Sequence, residues 1–165
     1  MDFSAAILAE FDREIAHTRD MLNAIPADVD WNYSPHPKSM TLGRLAGHTA
    51  ETACAWATSI LTADKLIYNM EKAPYVVADK AEMISSFDAG TAVTRKALAE
   101  LDPAKWDGRW KLVAGDQTWL DLPRYAAFRD CVLNHTIHHR AQIGVYLRIL
   151  NQPIPGIYGP SADSR

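Results

Sequence analysis

Residues 121–150 read DLPRYAAFRDCVLNHTIHHRAQIGVYLRIL. Asp121 is a good helix cap and Pro123 suits a first helical turn, so the stretch predicts one long helix. About 28 residues in that form would span roughly 42 Å. At about 100° per residue, Phe128, Val132, Tyr146 and Leu150 fall within roughly 20° of His139, with Ile143 and His135 about 40° to either side. His139 is therefore placed mid-stripe, facing the interior, and His135 shares its face. His138 lies about 100° round, at the edge of the stripe.

Three earlier segments carry the same periodicity. From about Ser4 to Asn23, Ile7, Phe11, Ile15, Thr18 and Leu22 form one apolar stripe that ends at Ile25-Pro26. Pro35 and Pro37 forbid a helix in the polar link that follows. A second helix is expected from Ser39 or Thr41, either of which can cap free N–H groups, to about Leu61. Its stripe is Leu42, Leu45, Thr49, Ala53, Trp56 and Ile60. A third is expected from about Asp79 to Leu101, with Met83, Ile84, Phe87, Ala97, Leu98 and Leu101 inward and Asp102-Pro103 after it. Between the third and fourth, Trp106 to Leu122 places aromatic and aliphatic residues on both sides of Gly115-Asp116, the pattern of a short hairpin. Trp106, Trp110 and Trp119 then either line a pocket rim or pack the hairpin over the helices. Four amphipathic helices with one long return connection predict an all-α four-helix bundle.

The chain has 165 residues, which fits a single domain over 1–165 with a sizeable core. Its 48% hydrophobic and 22% charged residues exclude disordered and collagen-like classes. The net charge is −3 with acids and bases interspersed, so no basic surface is expected to neutralise a nucleic-acid backbone. The uncharged run from Thr52 to Ala63 is too short to cross a bilayer. Asp2, Glu10 and Asp12 near the start leave no basic leader before the first apolar run, so no secretory signal is expected. Two cysteines, Cys54 and Cys131, make neither a disulfide framework nor a cysteine-based zinc site. A reducing cytoplasm is the expected compartment.

The chemistry concentrates in the histidines. Positions four apart on a helix hold their Cβ atoms roughly 5–6 Å apart, a spacing that lets His135 and His139 share one metal. His138 and His139 diverge and cannot chelate together. The plain alternative is a pair of core histidines bonded to backbone or water, but two adjacent buried imidazoles then need two sets of partners. Thr136 stands where a His-Glu-x-x-His metalloprotease carries Glu, which argues against peptide hydrolysis by that route. The leading third ligand is His48, which flanks the second helix's stripe; otherwise it is a boundary residue facing solvent. Glu51 is expected to be solvated, His17 to lie on the surface, and His36 to be a loop residue without a partner. Three neutral ligands leave coordination positions open and favour an anionic guest. Gln142, one turn after His139, can orient a ligand; Tyr146 and Tyr158 are candidate polar contacts or ordinary packing residues.

Two blocks of residues are familiar. NHTIHHRAQ at 134–142, YLR at 146–148, Pro155 and YGPS at 158–161 resemble the C-terminal end of the DinB (damage-inducible), or YfiT-like, family of metalloenzymes. SPHPKSMTLGRLAGH at 34–48 resembles that family's entry into the second helix, which ends on a histidine. One departure is Arg140-Ala141-Gln142, where the family often has Arg-Gly-Gln. The resemblance implies a four-helix bundle holding one divalent transition metal, such as zinc, nickel or iron, on His48, His135 and His139. It also implies a homodimer packed through helices. Relatives include transferases using bacillithiol and isomerases and transferases using mycothiol or glutathione. The expected function is accordingly a metal-dependent enzyme moving a low-molecular-weight thiol onto a small electrophile: a thiol S-transferase, or a related hydrolase or isomerase. The alternatives are a non-catalytic metal-binding stress-response protein and a plain helical dimer whose histidines are structural. The family name refers to induction by DNA damage and implies no DNA binding.

Overall fold

The apolar stripes become helices close to where periodicity places them. The structure, a computed structural model, describes residues 3–163. Helix α1 (Phe3–Asn23) buries Ile7, Phe11, Thr18 and Leu22. Thr41, not Ser39, caps helix α2 (Leu42–Glu51), its Oγ1 accepting from the Arg44 N–H at 3.2 Å. A π-helical turn, Thr52–Trp56, joins α2 to α3 (Ala57–Thr62). Helix α4 (Lys80–Ala99) starts at Asp79, whose carboxylate accepts from the Glu82 N–H at 2.7 Å. The last helical run comprises α5 (Arg124–Phe128), a π-helical segment Arg129–Asn134, and α6 (His135–Ile149).

Two features correct the all-α expectation. The chain is mostly helical but also carries a three-stranded sheet. Strands β2 (Arg109–Ala114) and β3 (Gln117–Pro123) form the expected hairpin about Gly115-Asp116, and Gly115 takes a φ of +55° that favours glycine. Strand β1 (Lys65–Ile67) pairs parallel to β2; three residues are too few to show an alternating pattern. The final helix also begins at Arg124, not Asp121. Asp121 belongs to β3, where its carboxylate pairs with Arg109 at 2.8 Å and Lys111 at 3.5 Å. Arg124 is buried and donates to the carbonyls of Ile60 and Ala63 at the C-terminal end of α3. It thus supplies the cation that such an end favours.

The core falls into two apolar clusters. Ile7, Phe11, Ile60, Leu98, Trp106, Trp110 and Phe128 belong to one, and Leu22, Leu42, Leu45, Phe87, Ile143 and Leu147 to the other. Along α1, α4 and α6 the buried polar residues come between the two: Glu14 and Thr18, Thr91 and Thr94, Thr136, His139 and Arg140. Thr49 and Thr52 are also buried. The result is a polar waist across the bundle. Its threonines are satisfied locally, as burial demands: Thr18 donates to the Glu14 carbonyl at 2.7 Å, and Thr91 to that of Phe87 at 2.8 Å. Thr94 donates to the carbonyls of Ala53 and Cys54, inside the first π turn. Trp106 and Trp110 are core residues, whereas Trp119 is exposed and tilted against Tyr68 at 5.5 Å, so they form no common pocket rim.

Candidate metal centre

His48 comes from α2 and His135 and His139 from α6, and they meet at the waist. One ligand nitrogen from each lies within 4.8 Å of the other two. Ring centroids are 4.6 Å apart for His135–His139, 4.7 Å for His48–His139 and 5.1 Å for His48–His135. Beside them, Thr52, one turn after His48, shares a 3.1 Å hydrogen bond with Thr136, which follows His135. That bond fixes the two helices at one height. The π turn begins four positions after His48 and the second π segment ends immediately before His135. Such wide turns recur at functional sites because they shift the register of the side chains beyond them. They also explain why a straight 3.6-residue wheel does not strictly run through 129–134, although Phe128 and Val132 are buried as expected.

Hydrogen bonds bear on which nitrogen His139 and His48 can offer. Nδ1 of His139 is 2.8 Å from Gln142 Oε1, so Nδ1 carries the proton and Nε2 keeps its lone pair. That Nε2 is buried and lacks a hydrogen-bond partner among the described residues. A buried polar atom in this state is unfavourable, and a metal ion would satisfy it. His48 Nδ1 is 3.2 Å from Glu51 Oε2. Arg44 Nη2 also lies 3.2 Å from that Nδ1; in the tautomer that donates to the carboxylate Nε2 is free, the arrangement by which carboxylates orient metal-binding imidazoles. Burial alone would raise the Glu51 carboxyl, but the His48 ring and the Arg44 guanidinium 2.9 Å away hold it below its usual range. Glu51 is thus half-buried and bound to His48, not solvated as its position on the stripe suggested. His139 and His48 thus have outer partners in place, and the three clustered rings suit a divalent metal.

Burial pushes the imidazoles of His135 and His139 down to about 4, with the neighbouring histidines adding to the effect. Both are neutral near pH 7 and need shed no proton to bind a metal. The sign of the pH dependence follows. Between about 6.5 and 4 the unfolded chain binds protons that the folded metal-free chain does not, so stability falls as pH drops through that window. Urea midpoints of metal-free protein at a series of pH values should decline from pH 6.5 to pH 4. A flat profile would mean that the rings titrate alike in both states.

The other expected residues separate. His138 is exposed, and its ring turns 65° from that of His139. Tyr146 lies away from the cluster, its hydroxyl donating to the Met40 carbonyl at 2.9 Å. Tyr158 donates to Glu14 Oε2 at 2.5 Å and accepts from Arg140 at 2.6 Å. His17 is half-buried against the Tyr158 ring at 5.4 Å, not a surface residue. His36 Nδ1 accepts from the Lys38 N–H at 3.1 Å, a partner within its own loop. Trp56 was expected only as a stripe residue, yet its ring stands 6.2 Å from His48 and 6.0 Å from His135. Beside His48 a cleft of about 430 Å³ opens between α2, β1 and the segment that follows β1.

No protein-family model matches the chain, and none of the curated proteins does. Solved structures do. A DinB-like protein from Bacillus cereus superposes with a TM-score of 0.70 at 21% identity, over 92% of this chain and 95% of that one. A DinB-like protein from Bacillus subtilis gives 0.68 at 19% identity, over 94% and 99%. The chain therefore has a DinB-like fold, as the two sequence blocks suggested. Among the described residues no helix is long and apolar enough to cross a membrane.

Proposed function

We propose that this chain is a DinB-type metalloenzyme that holds one zinc, nickel or iron ion on His48, His135 and His139 and transfers a low-molecular-weight thiol to a small electrophile. The observation that carries the reading is the three-imidazole cluster itself: among the described residues no carboxylate or cysteine completes it, so positions stay open, as in catalytic rather than structural sites. A metal there supplies Lewis acidity and lowers the pKa of a thiol. The chain's own residues do the rest. Gln142 holds the imidazole of His139 in one tautomer, and Glu51 and Arg44 hold the Nδ1 edge of His48. Trp56 covers His48 and His135 on one side. Burial raises the Cys54 and Cys131 thiols to about 12 and 11, so both stay protonated and the reacting thiol comes from outside.

The cleft of about 430 Å³ that His48 lines favours catalysis over metal storage, because storage needs no cavity beside a ligand. Two free cysteines fit a reducing cytoplasm. Ala141, Val145 and Ile149 leave an exposed small and apolar face on α6 that would pair two copies as a homodimer. A net charge of −3 fits a small-molecule substrate better than a nucleic acid. The test is turnover by zinc- or nickel-loaded protein of glutathione, cysteine and related thiols with a panel of aryl halides and epoxides. Metal-dependent conversion that His139→Ala abolishes supports the transferase; no conversion with any pair overturns it.

A further inference from the structure

The cleft beside His48 has a second end that the histidines do not explain. Its wall is the segment following β1, laid flat on α2. A Cβ at Gly47 would stand 2.6 Å from the Tyr75 carbonyl oxygen, so only glycine lets the segment lie this close to the turn bearing His48. Arg44 ties the contact by donating to the Tyr75 carbonyl at 3.2 Å and to Glu51 at 2.9 Å. Arg44 is thereby committed to protein groups, and Glu51 is paired with Arg44 and hydrogen-bonded to His48.

At the other end, residues 69–72 form a turn. The Lys72 N–H donates to the Asn69 carbonyl at 3.4 Å, and Asn69 Oδ1 accepts from the Glu71 N–H at 2.9 Å. The second bond fixes the Asn69 amide and leaves its NH₂ group as a donor. Lys72 lines the cleft and its ammonium has no ion pair or hydrogen bond among the described residues. Between this turn and His48 the lining is aromatic and apolar: Trp56, Leu66, Tyr68 and Tyr75. A cleft with one uncommitted cation and one uncommitted amide donor beyond an aromatic floor is complementary to an anion carried on an apolar body.

We infer that this cleft binds an organic anion, a carboxylate or phosphate on an apolar body, with Lys72 and Asn69 as the residues that read the charged group. The inference rests on the proposed function for the reacting end of the ligand, at the histidines, and on the cleft's own side chains for the charged end. Lys72 is a specificity residue: it selects the charge and takes no part in the chemistry. Added salt weakens its contribution, because the group is open to solvent.

The test uses benzoate, phenyl phosphate and benzamide, which share an apolar ring and differ in charge. Each is titrated by calorimetry into zinc-loaded wild-type protein, zinc-loaded Lys72→Met and metal-free wild type. The wild type should bind one of the anions about tenfold more tightly than benzamide, and the better anion identifies carboxylate or phosphate. Lys72→Met should reduce that preference to about twofold or less and leave benzamide binding unchanged. Because Lys72 is exposed, its variant should melt with the wild type. A preference that survives in Lys72→Met, or anions that bind no better than benzamide, overturns the inference. The two readings fail separately. Zinc uptake with a Lys72-independent preference refutes only this one. A Lys72-dependent preference in a protein that takes up no metal refutes only the metal site.

Discussion

His139→Ala should lower metal affinity by more than about 100-fold, beyond the roughly 10–100-fold that loss of an outer partner typically costs. The side chain sits at the centre of the cluster, with its Nε2 buried and unpartnered and its ring within 4.7 Å of both other rings. His138→Ala should change affinity by less than about twofold, in the range of surface substitutions, because that ring is exposed on the neighbouring face. Zinc titration of the two variants side by side decides between them. Loss in His138→Ala with retention in His139→Ala would mean that the ligand pair is His135 with His138, at the other spacing a helix permits. The fold should persist in His139→Ala, since both apolar clusters stand apart from the ligands. Its melting temperature should no longer rise with added metal.

Arg140→Met should be among the most destabilising single changes in the chain. Arg140 and Glu14 are only 2% and 3% exposed, and the guanidinium donates to Glu14 Oε2 at 2.9 Å and to the Glu14 carbonyl at 3.1 Å. It also donates to Thr18 and Tyr158. Removing the cation leaves the buried Glu14 carboxylate with only the Tyr158 hydroxyl and the exposed Arg13, 3.3 Å from Oε1, a loss approaching about 3–5 kcal/mol. For a chain of this length that lowers Tm by roughly 10 °C. The double variant Glu14→Leu/Arg140→Met should recover much of the loss, since an apolar pair of similar volume often replaces a buried ion pair well. Thermal melts of the two singles and the double give the coupling directly. A shift below about 2 °C for Arg140→Met would show that the network contributes little. Arg140 adjoins His139, and its bonds to α1 and to the tail at Tyr158 hold the rotation of α6. Metal affinity should fall in the same variant.

Much of this arrangement is legible in the residues because it depends on local periodicity. The stripe through His139 and the caps at Thr41 and Asp79 depend on neighbours within a few positions. So does the Gly115-Asp116 turn. What is not legible depends on distant contacts. Strand β1 exists because β2 lies beside it, and nothing in Lys65–Ile67 announces a strand. Asp121 reads as a helix cap until Arg109 and Lys111 claim it across the hairpin. Glu51 falls off the apolar stripe and reads as solvated, yet the i,i+3 spacing from His48 was the available signal for its bond to that ring. Glu14 and Arg140 carry no such signal: their pairing spans 126 positions, and each alone reads as a solvated charge. The π turns are likewise silent: nothing in residues 52–56 or 129–134 announces them.

The most direct test of the central claim is titration of metal-free protein with zinc and with nickel, read by calorimetry and by metal analysis after desalting. One ion per chain should be retained by the wild type and none by a variant with His48, His135 and His139 all changed to Ala. No uptake by the wild type at saturating zinc or nickel, or equal uptake by the triple variant, would contradict the account.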